Sequence, residues 1–185
     1  MTNCKQKRLH FDMNAYDEIW GLAEDNFGII TSAQVKELGV SRQNIKKMEK
    51  AGKLMRLSHG VYQVKHHVPT VNDVYATGVA MAGAKSYLRG ASVVALLNLA
   101  PTDPAYIYVG AENRVRRLLP EGYIVKDMAK ADTTFYEGIK CQKLVDALRE
   151  ARIEGVIEGD RIYAAALKAN EKGLLTDEEC SQFKD

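Results

Sequence analysis

Between Lys36 and Lys65 the chain carries eight bases, Lys36, Arg42, Lys46, Lys47, Lys50, Lys53, Arg56 and Lys65, against two acids, Glu37 and Glu49. That local balance of +6, in a chain of net charge +2, leaves −4 for everything else. Clustered ammonium and guanidinium groups hold the phosphates of a nucleic acid by releasing its counterions, while a guanidinium or an amide reads base edges through paired hydrogen bonds. On a helix, Gln43, Lys46, Lys47 and Lys50 fall at i, i+3, i+4 and i+7 on one face, with Ile45, Met48 and Ala51 on another. One face packs and the other is free to meet an anion. The competing readings of such a face are a merely solvated surface or a contact for an acidic protein.

The flanking residues say how the bases are positioned. A helix is predicted over 14–26, with Asn14 as N-cap, an apolar stripe of Ile19, Trp20, Leu22, Ala23 and Phe27, and Gly28 as its stop. Thr31 with Gln34 three residues on is a capping-box pattern, and Ile30 and Val35 sit where a hydrophobic staple closes. This second helix stops at Gly39. Ser41 then caps a third helix reaching Ala51, with Val40 stapled to Ile45 and Gly52 closing the end. Two short helices joined by a tight glycine turn make a helix-turn-helix. Leu54–Ser58 and Val61–Val64 pair over His59-Gly60 as a hairpin wing. A winged helix-turn-helix on duplex DNA is expected, with Ser41, Arg42, Gln43, Asn44, Lys46, Lys47, Lys50 and Lys53 on or beside the recognition helix and Arg56 and His59 on the wing. Arg42 and Gln43 suit base edges; the lysines suit phosphate.

The stretch "FGIITSAQVKELGVSRQNIKKMEKAGKLMRLSHGVYQV", Phe27 to Val64, resembles the N-terminal domain of the AbiEi family of antitoxins. The shared features are Gly-Ile-Ile-Thr before the second helix, Leu-Gly-Val-Ser in the turn, Gly-x-Leu after the recognition helix, and Gly60-Val61-Tyr62. A weaker similarity runs through "YLRGASVVALLNLAPTDPAYIYVG" and "FYEGIKCQKLVDALREA"; the family often carries an arginine early in the later helix, whereas here Lys143 and Arg149 are the only bases near that position. The resemblance implies an antitoxin of a type IV, abortive-infection toxin–antitoxin pair conferring phage resistance. It further implies a transcriptional repressor that autoregulates by binding inverted repeats in its own promoter, and a nucleotidyltransferase-type toxin as functional partner.

Beyond the wing, "KHHVPT" reads as a solvated linker, because Pro69 disfavours helix before it and the adjacent His66 and His67 do not share a helix or strand face as metal ligands do. The expected organisation is α+β: a winged helix-turn-helix over 1–66 followed by a small mixed α/β domain over 70–185. In the second domain the apolar positions Val71, Val74, Tyr75, Gly78, Val79 and Ala82 form a helical stripe, and a further helix is predicted at Ala91–Leu97. Strands are predicted at Ala105–Val109, Tyr123–Lys126 and Thr133–Tyr136. Cys141, Leu144, Val145 and Leu148 mark a helix, Arg161–Asn170 another, and Thr176 caps a last one. Arg114, Arg116 and Arg117, joined by Arg89, Lys126 and Lys130, are the second domain's candidate interaction patch. Its candidate partners are DNA outside the wing, the toxin, or RNA bound to the toxin; scattered surface bases are the plainer reading.

Other functions find little support. No apolar run approaches the roughly 20 residues that span a bilayer, and no apolar stretch follows the N-terminal bases, so a cytoplasmic, non-membrane protein is expected. Cys4, Cys141 and Cys180 lack disulfide or zinc spacing and read as reduced thiols, two of them on helices. There is no Gly-x-Ser-x-Gly elbow and no Gly-Lys-Ser/Thr phosphate loop, and all four histidines fall in the first domain or its linker. Asp177, Glu178 and Glu179 read as first-turn helix acids. No enzyme, no cofactor and no metal is expected. A nuclease would need a carboxylate cluster that the second-half strands do not supply. A winged-helix protein-interaction module without sequence-specific DNA binding is the alternative from another class.

Overall fold

A computed structural model describes residues 15–100 and 105–184. The chain divides into two compact units at Met81/Ala82. The fold is α+β, a winged helix followed by a sheet unit.

The first unit begins with α1 over 15–24, whose Ile19 and Ala23 are fully buried. Its predicted cap Asn14 lies outside the described residues. Leu22, placed in the apolar stripe by periodicity, is 43% exposed. Gly28, at φ +70, returns its N–H to the Ala23 carbonyl at 2.8 Å and turns the chain into β1 (Ile29–Thr31). A three-residue strand is too short to leave a period in sequence, and β1 was not predicted; its register with the wing creates it.

Thr31 caps α2 (Ser32–Glu37) with the predicted reciprocal bonds: Gln34 N–H donates to Thr31 Oγ1, and Thr31 N–H to Gln34 Oε1 at 2.9 Å. At its far end Gly39 N–H donates to the Lys36 carbonyl and Val40 N–H to the Val35 carbonyl. These two bonds with Gly39 at φ +72 make a Schellman stop. α3 (Arg42–Lys50) follows and stops the same way, with Gly52 bonded to Glu49 and Lys53 to Met48. β2 (Leu54–Ser58) and β3 (Val61–Val64) are the wing, and the sheet order is β1-β3-β2, all antiparallel. Ile19, Ile30, Val35, Val40, Ile45, Met48, Leu54 and Val64 meet in one core beneath the helices and sheet. Both predicted staple pairs, Ile30 with Val35 and Val40 with Ile45, lie in it.

The segment after the wing is not a solvated linker throughout. His67 Nε2 lies 2.6 Å from Asp73 Oδ2, and Thr70 Oγ1 donates to Asp73 Oδ1 at 2.6 Å. Both His67 and Asp73 side chains are largely buried. α4 (Asp73–Ala82) buries Ala76, Met81 and Ala82, whereas Val71 precedes the helix and is 86% exposed. The predicted stripe was therefore out of phase at its start.

The second unit is a five-stranded sheet with helices. In chain order come β4 (Ser86–Leu88), α5 (Ala91–Leu96), β5 (Ile107–Ala111), β6 (Tyr123–Lys126), β7 (Thr133–Tyr136), β8 (Ile139–Gln142), α6 (Leu144–Ile153), α7 (Gly159–Glu171) and α8 (Asp177–Ser181). Strand order is β6-β5-β4-β8-β7, with β5/β6 and β4/β8 parallel and the other two pairs antiparallel. Leu88, Val109 and Cys141 lie in register on the three central strands and are fully buried. α5 packs on β5 and α6, α6 on β8 and α7, and α7 on α8. Cys141 stands on β8 rather than on the helix that follows, and β4 and β8 were not predicted; both are short inner strands. Of the two thiols expected on helices, only Cys180 on α8 is there among the described residues, since Cys4 lies outside them. Thr176 caps α8 in a full capping box with Glu179.

Candidate nucleic-acid interface

The interface is built from α3 outward. Ser41 is extended (φ −71, ψ 152) and its Oγ accepts the Asn44 N–H at 3.2 Å, which sets where the helix begins. Ile45 and Met48 anchor the inner face in the core, so the helix cannot roll. Ser41, Arg42, Gln43, Lys46, Lys47 and Lys50 are all exposed on the outer side, while Asn44 is half-buried. Ala51, predicted on the packing side, is exposed because it is the C-cap and lies past the last core turn.

On the wing, register shifts between Arg56 and Ser58, leaving one extra residue on β2. Such a bulge sharpens the local twist and re-aims side chains. Here Arg56 Nε donates to the Ser58 carbonyl at 3.3 Å, and Arg56 Nη2 lies 3.4 Å from His59 Nδ1. The two predicted wing residues are thus brought together at the tip. Gly60, at φ +76, supplies the turn, and its carbonyl accepts the Ser32 N–H at 2.8 Å, tying the wing to the start of α2.

Lys53 departs from its expected role on phosphate. It is half-buried, with Nζ 4.7 Å from the centre of the Tyr16 ring, a cation–π contact that turns it toward α1. Among the described residues no carboxylate forms an ion pair with Arg42, Lys46, Lys47, Lys50 or Arg56. Positive groups left unpaired on one anchored helix and its neighbouring wing present a concentrated field to an approaching polyanion.

Residues 22–65 match the family described as "Transcriptional regulator, AbiEi antitoxin". The match runs from within α1 to the end of the wing, so it covers the whole helix-turn-helix and the bases just described. No curated protein matches the chain. The second unit lies outside the AbiEi match.

In that second unit Arg114, Arg116 and Arg117 are exposed on the loop between β5 and β6, and Lys130 is exposed beyond β6. Arg89 does not belong with them. It is 3% exposed, and its guanidinium binds Glu150 through both Nε and Nη2 and Glu154 through Nη2 at 2.6 Å. Lys126 also turns to this cluster, 3.1 Å from Glu150 Oε1. Burial by itself would lower the Arg89 pKa and raise that of Glu150. The hydrogen bonds and charges of the cluster outweigh it, so Arg89 is held above its ordinary value and Glu150 below. No spacing in the sequence announces this cluster, because Glu150 and Glu154 lie far downstream of Arg89. Among the described residues no group of three or more His, Cys, Asp or Glu is placed to hold a metal, and no helix is long and apolar enough to cross a membrane.

Proposed function

We propose that this protein is a DNA-binding autorepressor and antitoxin of a type IV abortive-infection system, acting in the cytoplasm on inverted repeats in its own promoter. Its first domain carries DNA binding, and its second restrains a nucleotidyltransferase-type toxin without catalysis of its own. The observation that carries the reading is the anchored outer face of α3 beside the wing, where Arg42, Lys46, Lys47, Lys50 and Arg56 have no acidic partner among the described residues. On this reading α3 lies in the major groove, Arg42 and Gln43 meet base edges, and Lys46, Lys47 and Lys50 hold phosphates. Arg56 and His59 reach the flanking backbone or adjacent groove. The two arms of an inverted repeat require two copies of the chain.

The test is a fluorescence-anisotropy titration of the full chain against the duplex upstream of its own coding region and a shuffled duplex, at two salt concentrations. Tight, salt-sensitive binding that prefers the native duplex supports the repressor. Equally feeble binding to both overturns it and makes the winged helix a protein-contact module.

A further inference from the structure

The second unit holds a cleft of about 390 Å³ that the DNA reading does not use. Its volume falls within the range of small-molecule sites. The lining includes Gln142 at the end of β8, Lys126 and Lys130, and Arg149 and Ile153 of α6.

Gln142 is the telling residue. It is only 8% exposed, and its Oε1 accepts the Gly90 N–H at 3.1 Å. Because a backbone N–H requires an acceptor, that bond fixes which end of the amide is oxygen. The Nε2 group, with two N–H donors, is left without a protein acceptor in a side chain that lines the cleft. Gly90 itself has φ 51 and ψ −133, a conformation that favours glycine.

Four of the carboxylate oxygens around the cleft are already engaged. Both oxygens of Glu150 bind Arg89, Glu154 Oε1 binds Arg89, and Asp146 Oδ1 accepts from Arg149 at 2.7 Å. Lys130, by contrast, makes no ion pair among the described residues. With Glu150 and Glu154 already bonded to Arg89 and Lys126, the open Gln142 amide and the Lys130 ammonium define a site for an oxygen-rich anion. Ile153, 78% exposed at the rim, adds an apolar ledge for the uncharged part of such a ligand.

We propose that this cleft binds the phosphoryl group of a nucleotide-sized phosphate ester, with Gln142 Nε2 and the Lys126 and Lys130 ammonium groups as its donors. The site shares no residue with the α3 face and does not rest on the DNA-binding reading.

The test is NMR titration of the full chain, with the Gln142 side-chain amide as reporter, assigned by its disappearance in Gln142→Leu. Inorganic phosphate and adenosine monophosphate are the probes, with citrate as a carboxylate control. The expected result is a saturable shift of the Gln142 Nε2 and Gly90 amide resonances by both phosphates at millimolar concentration. Gln142→Glu keeps an acceptor for Gly90 while replacing the donors with charge, and should weaken binding on the order of tenfold or more. Lys130→Ala, an exposed change that leaves the fold intact, should weaken it several-fold, whereas Arg114→Ala should not. An oligonucleotide tested with and without a 5′-phosphate tells the source: a stronger shift than the monophosphate, dependent on the 5′-phosphate, points to a nucleic-acid end, and a weaker one to a free nucleotide. No shift at Gln142, a preference for citrate, or affinity unchanged in both Gln142→Glu and Lys130→Ala overturns the proposal.

Discussion

The ring of His67 lies directly over Gly28, so close that a Cβ at position 28 would overlap its Cβ and Cγ. The contact pins the segment after the wing to the turn between α1 and β1, and the His67–Asp73 bond continues it to the start of α4. Gly39 has nearly the same backbone angle, φ +72 against +70, but opens onto empty space. Gly39→Ala should therefore cost only the left-handed strain, about 1–2 kcal/mol. Gly28→Ala should cost visibly more. Combining Gly28→Ala with His67→Gly should recover the excess and leave the strain, which a double-mutant cycle of denaturant unfolding measures. Equal costs for the two glycine variants would contradict the close contact.

Arg89 predicts the behaviour of the second unit. Its removal leaves the partly buried Glu150 and Glu154 with Lys126 as their remaining cation among the described residues, so Arg89→Leu should destabilise by up to about 3–5 kcal/mol. The sign with pH follows from Glu150, whose folded pKa lies below its ordinary value. Its contribution is full above the unfolded pKa of about 4.3 and is lost as pH falls through the lower folded value. Thermal unfolding between neutral and strongly acidic pH should show this acid-side loss in the parent chain. Glu150→Gln should flatten it, and an unchanged acid limb in that variant would refute the assignment.

What was legible in the sequence was local. The Thr31/Gln34 box, the Thr176 cap, the glycine stops at Gly39 and Gly52, and the wing from Leu54 to Val64 are each written within a few neighbouring residues, and each forms as read. The misses are long-range. β1 exists because it pairs with β3 some thirty residues later, and β4 and β8 exist because they flank each other in the middle of a sheet. Cys141 fell in step with Leu144 and Leu148 by chance, although a strand end and Lys143 separate them. The outer face of α3 was readable because caps and core residues fix its phase, whereas Lys53 was misread because its partner, Tyr16, comes from another helix. Charge alone placed Arg89 on the surface, since nothing near it in the chain supplies the two carboxylates that hold it inside.

Cys141 should be chemically silent in the folded protein. Burial pushes its thiol pKa up to about 12, despite hydrogen bonding that favours the thiolate, and its Sγ contacts the Ile139 carbonyl at 3.3 Å. The thiolate is the reactive form, so at neutral pH almost none is present. Cys180 is also buried. Alkylation followed by mass spectrometry should leave both unmodified under native conditions and label both in denaturant. Rapid native labelling of Cys141 would show that β8 opens far more readily than its position in the sheet allows.

Arg42 and Lys47 separate specificity from affinity on the proposed interface. Both are exposed on α3, but Arg42 is its first residue, just past the Ser41 cap, while Lys47 lies mid-helix. A guanidinium at the leading end of a recognition helix makes two parallel bonds to a guanine edge, whereas an ammonium farther along meets phosphate as a point charge. Arg42→Ala should cost about 1–3 kcal/mol and relax preference at one operator position, with other positions unaffected. Lys47→Ala should weaken every duplex alike and lower the dependence of log K on log salt by about one unit. Anisotropy titrations against single-position operator variants at several salt concentrations distinguish the two. If both substitutions left the operator preference and the salt slope unchanged, α3 would not be the element that enters the groove.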